Sequence, residues 1–147
     1  MSSEFDKTAK RLEPWSAYIR QAGCTLFDQA NRLKRLIETV MEFTPSHGRV
    51  LEVGFGAAQT LILLRDLGFE CYGVDLDLEL VRRAHSRIDR PQVLRCDART
   101  LPFRDKSFDT VYHQGLLEHF DDVLVVTLLK EQKRVAHTLI LDVPTSR

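Results

Sequence analysis

The spacing of apolar residues changes along the chain and divides it into two regions. Between Phe5 and Phe43, apolar residues recur at steps of three and four, which is the period of an amphipathic helix. Pro14 interrupts this region, so two helices are expected rather than one. The segment TPSHG, residues 44–48, then predicts a loop.

From Arg49 onward, short apolar runs alternate with helical segments. The predicted strands are RVLEVGF (49–55), ECYGVDL (70–76), QVLRCDA (92–98), FDTVYHQG (108–115) and HTLILDVP (137–144). The predicted helices are AAQTLILLRDLG (57–68), DLELVRRAHSRI (77–88) and most of LLEHFDDVLVVTLLKEQKRV (116–135). This alternation indicates an α/β fold with a parallel sheet and right-handed crossovers.

Composition narrows the class of protein. The chain has 147 residues, 44% of them hydrophobic and 29% charged, which fits one globular domain. Its formal net charge of +0 gives no reason to expect nucleic acid or an anionic membrane as a partner. Its cysteines are few, odd in number and widely spaced, so we expect reduced thiols and neither a disulfide framework nor a metal site. The polar N-terminus and the lack of a long apolar run predict a cytoplasmic protein.

Residues suited to ligand binding cluster at the ends of the predicted strands. Gly54 and Gly56 end the first strand, Asp75 the second, Asp97 the third, and residues 113–115 the fourth. In a doubly wound parallel sheet, ligands bind beyond the carboxyl ends of the strands. We therefore expect these residues to form one site.

The residue types at those ends favour one cofactor. The glycines let a ligand approach the main chain, and Asp75 could accept hydrogen bonds from both hydroxyls of a ribose. Glu52 would repel the pyrophosphate of a dinucleotide but would tolerate a ligand that carries an ammonium group and no phosphate. Asp97 could accept a hydrogen bond from an adenine amino group. S-adenosylmethionine meets these demands.

Four segments in order resemble the motifs of class I S-adenosylmethionine-dependent methyltransferases, of the small-domain type that includes quinone-biosynthesis methyltransferases. They are VLEVGFGAA, GVDLDLELVRRA, LRCDARTLPFRDKSFDTVYHQGLLEHF, and LLKEQKRV followed by TLILDVP. The resemblance covers residues 49–144. It implies a Rossmann-like sheet of strand order 3-2-1-4-5, with an N-terminal helical cap at 1–48 and a cofactor-binding domain at 49–147.

The resemblance also implies a cofactor site and a reaction. S-adenosylmethionine would bind to Glu52, Gly54, Phe55, Gly56, Asp75, Leu76, Asp97, Ala98, His113, Gln114 and Gly115. The methyl group would pass to an acceptor, and a small molecule is expected because the chain is short and neutral, with no nucleic-acid module. The family mechanism needs orientation and exclusion of water more than a nucleophile.

Plainer roles stay open for several of these residues. Glu52 could be a salt-bridged strand-end acid, Asp75 a helix cap, and Asp97 a turn residue. His113 could be a catalytic base or only a wall residue. Trp15 and Tyr18 could either cover the cofactor or pack between the N-terminal helices.

The sequence also departs from the family pattern. Ala58 replaces the third glycine of the first motif, and Ala136 and His137 replace a glycine pair before the fifth strand. The family fold usually continues with another helix and two strands, whereas this sequence stops at Arg147. A piece of a longer chain, a covering partner and an abbreviated fold all stay open. An exposed apolar edge strand that pairs with a second copy is expected.

Two other functions remain open at this point. A methyltransferase-like domain could act only as a binding or interaction module. A nucleotide-dependent oxidoreductase could use the same glycines and Asp75, although Gln59 stands where its fingerprint requires a third glycine.

Overall fold

The computed structural model describes residues 26–89 and 92–144, and these form an α/β unit. Its helices are α1 (Leu26–Phe43), α2 (Gln59–Asp66), α3 (Leu78–Ala84) and α4 (Asp122–Val135), with a 3₁₀ turn at Leu117–His119. Its strands are β1 (Arg49–Val53), β2 (Glu70–Asp75), β3 (Val93–Arg95), β4 (Phe108–Gln114) and β5 (Ala136–Asp142).

The five strands form one parallel sheet in the order β3-β2-β1-β4-β5. Strand β1 lies at the centre, where Leu51 pairs with Tyr72 on one side and with Val111 on the other. The chain leaves β1 toward β2 and β3 and later returns to β4 on the opposite side. This reversal of strand order creates the crevice in which α/β sheets bind ligands. The predicted fold class and strand order are confirmed.

Helices cover both faces of the sheet, because successive strand residues point in opposite directions. Val50 belongs to the core on the face of α1, α2 and α3, together with Leu36, Leu61 and Val81. Its neighbour Leu51 belongs to the second core, on the face of α4. Buried strands with apolar residues on both faces explain the nearly continuous apolar runs of the sequence.

Three predicted elements are shorter in the structure than in the sequence interpretation. Strand β3 ends at Arg95 and helix α3 at Ala84. The predicted helix 116–135 is interrupted at Phe120, which has an extended conformation. Asp121 then caps α4 by accepting the Leu124 main-chain N–H at 2.9 Å. Asp121 is thus an exposed side chain that also serves as the N-cap of α4.

Helix α1 packs on the sheet through Leu36 and Val40, so it shares the core of the strands. The predicted division at residue 48 lies in the loop between α1 and β1 and stays a prediction. Trp15 and Tyr18 lie outside the described residues. Across the described ranges, no helix has the length and apolar character that a membrane span requires.

Candidate functional site

The turn after β1 is built for close approach to the main chain. Gly54 and Gly56 have φ values of +73° and +54°, which glycine adopts at little cost. Ala58, which replaces the third family glycine, has φ +57° and so adopts a left-handed conformation that glycine reaches more easily than alanine. Helix α2 begins immediately afterward and has no side-chain cap from Ala58.

Asp75, at the end of β2, ties the glycine turn to the next turn. Its Oδ2 accepts the Gly56 N–H at 3.0 Å, and its Oδ1 accepts the Asp77 N–H at 2.9 Å. The cap of α3 is Asp77, which accepts the N–H groups of Glu79 and Leu80. Burial raises the pKa of Asp75, and the main-chain donors oppose that effect. Asp75 is thus free of the capping duty that the sequence left open.

Asp97, just after β3, is held by its near neighbour Arg99. The carboxylate accepts the Arg99 main-chain N–H at 2.9 Å and forms an ion pair with the guanidinium at 2.6 Å. Burial raises the pKa of Asp97, but the hydrogen bonds from Arg99 outweigh it and hold the pKa below its usual value. Asp97 is therefore an oriented carboxylate beside a cation.

A cavity opens where these turns meet the start of α4. Its empty volume is about 530 Å³ when the space open to solvent is included. Most of its wall is apolar, and Asp75, Asp97 and Arg99 supply the charged groups. The lining residues are Val53, Gly54, Val74, Asp75, Leu76, Cys96, Asp97, Ala98, Arg99, Leu116, Phe120, Leu124 and Leu128. An apolar cleft with a few charged groups is typical of small-molecule sites.

The structure brings five of the predicted cofactor residues into this lining, namely Gly54, Asp75, Leu76, Asp97 and Ala98. Gly56 adjoins it through its hydrogen bond to Asp75. Phe55 is buried in the core instead, where its ring fills the space that a side chain at Gly73 would need.

Glu52 is buried on the opposite face of the sheet from α4. The Tyr112 hydroxyl donates to its Oε2 at 3.0 Å, and the Leu61 main-chain N–H in the first turn of α2 also bonds to its carboxyl group. Burial, with a smaller contribution from the nearby Asp75, raises the pKa of Glu52 to about 8, although the hydrogen bonds from Tyr112 and Leu61 oppose the shift. The bond to the Leu61 N–H ties β1 to the beginning of α2. Glu52 is not among the residues that line the cavity.

His113 is fully buried near the end of β4. Neither ring nitrogen has a hydrogen-bond partner among the described residues. Burial lowers its pKa to about 4, although Asp142 opposes the shift, so the ring is neutral near pH 7. Gln114 and Gly115 bond to Asp142 of β5 rather than lining the cavity. The base role of His113 stays a prediction.

Sequence reasoning missed the apolar wall that α4 contributes. Phe120, Leu124 and Leu128 recur every four residues, which is the signal of one helix face, but core packing explains that spacing equally well. Cys96 also lines the cavity and is half-buried against the core on the α4 face, whereas Cys71 is buried. No group of side chains within 26–89 and 92–144 could hold a metal ion.

Comparison with known proteins agrees with this geometry. Residues 51–138 match a family model described as a methyltransferase domain. The chain belongs to this methyltransferase family. The match covers the glycine turn, both carboxylates of the cavity and α4, so the predicted family is confirmed.

Relatives of this methyltransferase domain are longer than the chain itself. An uncharacterised methyltransferase, YcgJ of Bacillus subtilis, is 33% identical over 103 residues, which are 67% of this chain and 40% of the relative. The demethylmenaquinone methyltransferase of Thermotoga maritima is 29% identical over 102 residues, 69% of this chain and 44% of the relative. The chain thus spans less than half the length of these curated relatives.

Solved structures show the same fold. The PH0226 protein of Pyrococcus horikoshii superposes with a TM-score of 0.66 at 30% identity, over 74% of this chain and 53% of that one. Other neighbours with this fold are described as S-adenosylmethionine-dependent methyltransferases.

Proposed function

We propose that this methyltransferase domain binds S-adenosylmethionine in the cavity at the carboxyl edge of the sheet and transfers its methyl group to a small-molecule acceptor. The observation that carries the proposal is the meeting of the glycine turn, Asp75 and Asp97 around one largely apolar cavity. S-adenosylmethionine, when bound, supplies a methyl group already activated on a sulfonium.

The residues present suit such a ligand. Asp75 accepts hydrogen bonds from the main-chain N–H groups of Gly56, Asp77 and Leu76, and a carboxylate offers about four acceptor positions, so it keeps capacity for a ribose hydroxyl. Leu76 and Ala98 offer apolar surface for a purine, and Asp97 an acceptor for its amino group. The wall formed by Leu124 and Leu128 limits the access of water.

Calorimetric titration with S-adenosylmethionine and S-adenosylhomocysteine tests the proposal. We expect binding by the wild type and a Kd about tenfold to a hundredfold weaker in Asp75→Asn, since a hydrogen bond to a charged group contributes about 1.5–3 kcal/mol. Asp66→Asn, an exposed aspartate paired with Arg65, is the matched control and should bind as the wild type does. A folded wild type that binds neither compound would refute the proposal.

The acceptor is proposed to be a small molecule on two grounds. The net charge is balanced, and one relative is named for a quinone precursor, demethylmenaquinone. Radiolabelled methyl transfer to a panel of quinols, phenols and amines tests this. Cofactor binding without turnover on any acceptor would favour the alternative of a non-catalytic binding domain.

Self-association through the sheet edge stays a prediction. Strand β5 is an edge strand, and Leu141 and Val143 near its end are exposed. An apolar edge with open main-chain groups can pair with another copy. Sedimentation velocity should show a dimer for the wild type and a monomer for Leu141→Lys, whereas a monomeric wild type at high concentration would exclude this pairing.

A further inference from the structure

Arg134, near the end of α4, is the centre of a hydrogen-bond network away from the cavity. It binds its helix neighbour Glu131 through Nε at 2.9 Å and Nη2 at 2.7 Å. Its other contacts reach the loop between β3 and β4, at the Leu101 carbonyl (3.0 Å), the Phe103 carbonyl (2.9 Å) and the Asp105 carboxylate (2.7 Å). These contacts occupy all five N–H donors of the guanidinium.

Glu131 completes the attachment from the same helix. Its Oε1 accepts the Leu101 main-chain N–H at 2.8 Å. Both main-chain polar groups of Leu101 are therefore bound to the pair Glu131–Arg134, and the Leu101 side chain is buried in the core beneath α4. The hydrogen bonds from Arg134 also lower the pKa of Glu131, which keeps the carboxylate charged.

The loop held in this way forms one wall of the cavity. Residues 96–107 contain neither helix nor strand, and beyond the Cys96 N–H, which donates to the Asp75 carbonyl at 2.9 Å, no sheet ladder fixes their course. The first residues of the loop, Cys96 to Arg99, line the cavity, and a turn closed by the Thr100 N–H and the Asp97 carbonyl at 3.0 Å leads directly to Leu101. The anchor therefore lies two residues beyond the wall.

Helix α4 forms the facing wall through Leu124 and Leu128. Glu131 lies one helical turn beyond Leu128, so the same rigid helix carries both the wall and the anchor. The network thus fixes the distance between the two walls. Lys106 ties the far end of the loop to the end of α4, with its Nζ bonded to the carbonyls of Lys133 and Ala136, but this tie is remote from the lining.

We propose that Glu131 and Arg134 are positioning residues for cofactor binding, which hold the Asp97–Arg99 wall at the correct distance from α4. This inference rests on the proposed function, because it assigns the cavity to the cofactor. A site whose walls are misplaced by about 1 Å loses much of its effectiveness. Lys cannot replace Arg fully, since an ammonium lacks the planar fork that binds two carboxylates and two carbonyls together.

Calorimetry with S-adenosylhomocysteine and amide hydrogen exchange test the inference together. For Arg134→Gln and Glu131→Gln, we expect a Kd at least about tenfold weaker and faster exchange at the amides of Arg99, Thr100 and Leu101. Arg134→Lys should lie between these variants and the wild type. Lys106→Gln is the matched control, and it should lower the thermal midpoint without changing the Kd.

The inference is overturned if folded Arg134→Gln binds within twofold of the wild type, or if its affinity falls while exchange at residues 99–101 is unchanged. Exchange in the wild type gives a readout that needs neither a variant nor a ligand. A Leu101 amide that exchanges as fast as that of the exposed Asp105 would show that the network is not formed. If the wild type shows slow exchange at the Leu101 amide but binds no S-adenosylhomocysteine, the proposed function and the positioning role are both refuted. If only the positioning role is wrong, the wild type still binds S-adenosylhomocysteine and the variants bind it equally well.

Discussion

Replacing Glu52 by glutamine tests whether the carboxyl group beneath the glycine turn is neutral. Glu52 is 4% exposed, and burial raises its pKa from 4.5 to about 8. At neutral pH it is therefore protonated, with the Tyr112 hydroxyl 3.0 Å from its Oε2. Glutamine has the shape of a protonated glutamate and cannot ionise. We expect Glu52→Gln to fold and to be at least as stable as the wild type near pH 6.5, because the unfolded wild type gains free energy by ionising Glu52 and the unfolded variant does not.

The pH dependence should then separate the two proteins. A group whose pKa is higher in the folded state stabilises the fold below its unfolded pKa, and this contribution is lost as pH rises through the folded pKa. For Glu52 the window runs from 4.5 to about 8. Between pH 6.5 and 9, the wild type should lose about 2 kcal/mol from this group alone, and Glu52→Gln should lose none of it. His113 does not interfere, because its folded pKa of about 4 confines its effect to pH values below 6.5.

Urea unfolding at pH 6.5, 7.5 and 9, followed by circular dichroism, measures the difference. The quantity of interest is the change in the free energy of unfolding with pH in each protein, so a constant offset between them does not matter. Tyr112→Phe, which removes the hydroxyl that faces Glu52, should keep the wild-type sign of the slope. Equal slopes in the wild type and Glu52→Gln would refute the reasoning, since they would mean that Glu52 is ionised in the folded state.

Three further outcomes follow from the same geometry. In the Glu52→Gln background, the free energy of unfolding should fall by about 1.5 kcal/mol from pH 6.5 to 5 because His113 is buried neutral, and adding His113→Leu should remove this dependence. Ala58→Gly should change the free energy of unfolding in urea by less than about 1 kcal/mol, because relief of the left-handed strain offsets the loss of the buried methyl group. Ala84→Gly in helix α3 is the control and should lower the free energy of unfolding by about 2 kcal/mol. Similar losses at both positions would contradict this reasoning. Asp121→Ala should lower the free energy of unfolding by about 1 kcal/mol, because the α4 cap is lost. Asp122→Ala, one residue into the helix, is the control and should have a smaller effect. Equal losses in the two variants would argue against the cap.

Local signals were sufficient for the architecture. The change from helical to strand periodicity after Phe43 placed β1, and the alternation that follows placed every later strand. Those signals are strong because parallel strands buried on both faces must be apolar throughout. Element ends were less well predicted. The extended conformation of Phe120 was missed, although Asp121 beside it is a residue type that often begins a helix, because the apolar pattern continues across the break.

For the candidate site too, part was determined by the local sequence and part only by the tertiary structure. The sequence by itself determined that glycines and carboxylates stand at the ends of β1, β2 and β3, and topology then requires that they meet. Only the tertiary structure decided the direction of each side chain. Glu52 and His113 turn into the two helical layers, Asp75 and Asp97 line the cavity, and Arg134 reaches a loop that lies far from it in sequence. The physical reason is that strand position follows from local periodicity, whereas the partner of a buried polar group is chosen by whatever distant segment the fold packs against it.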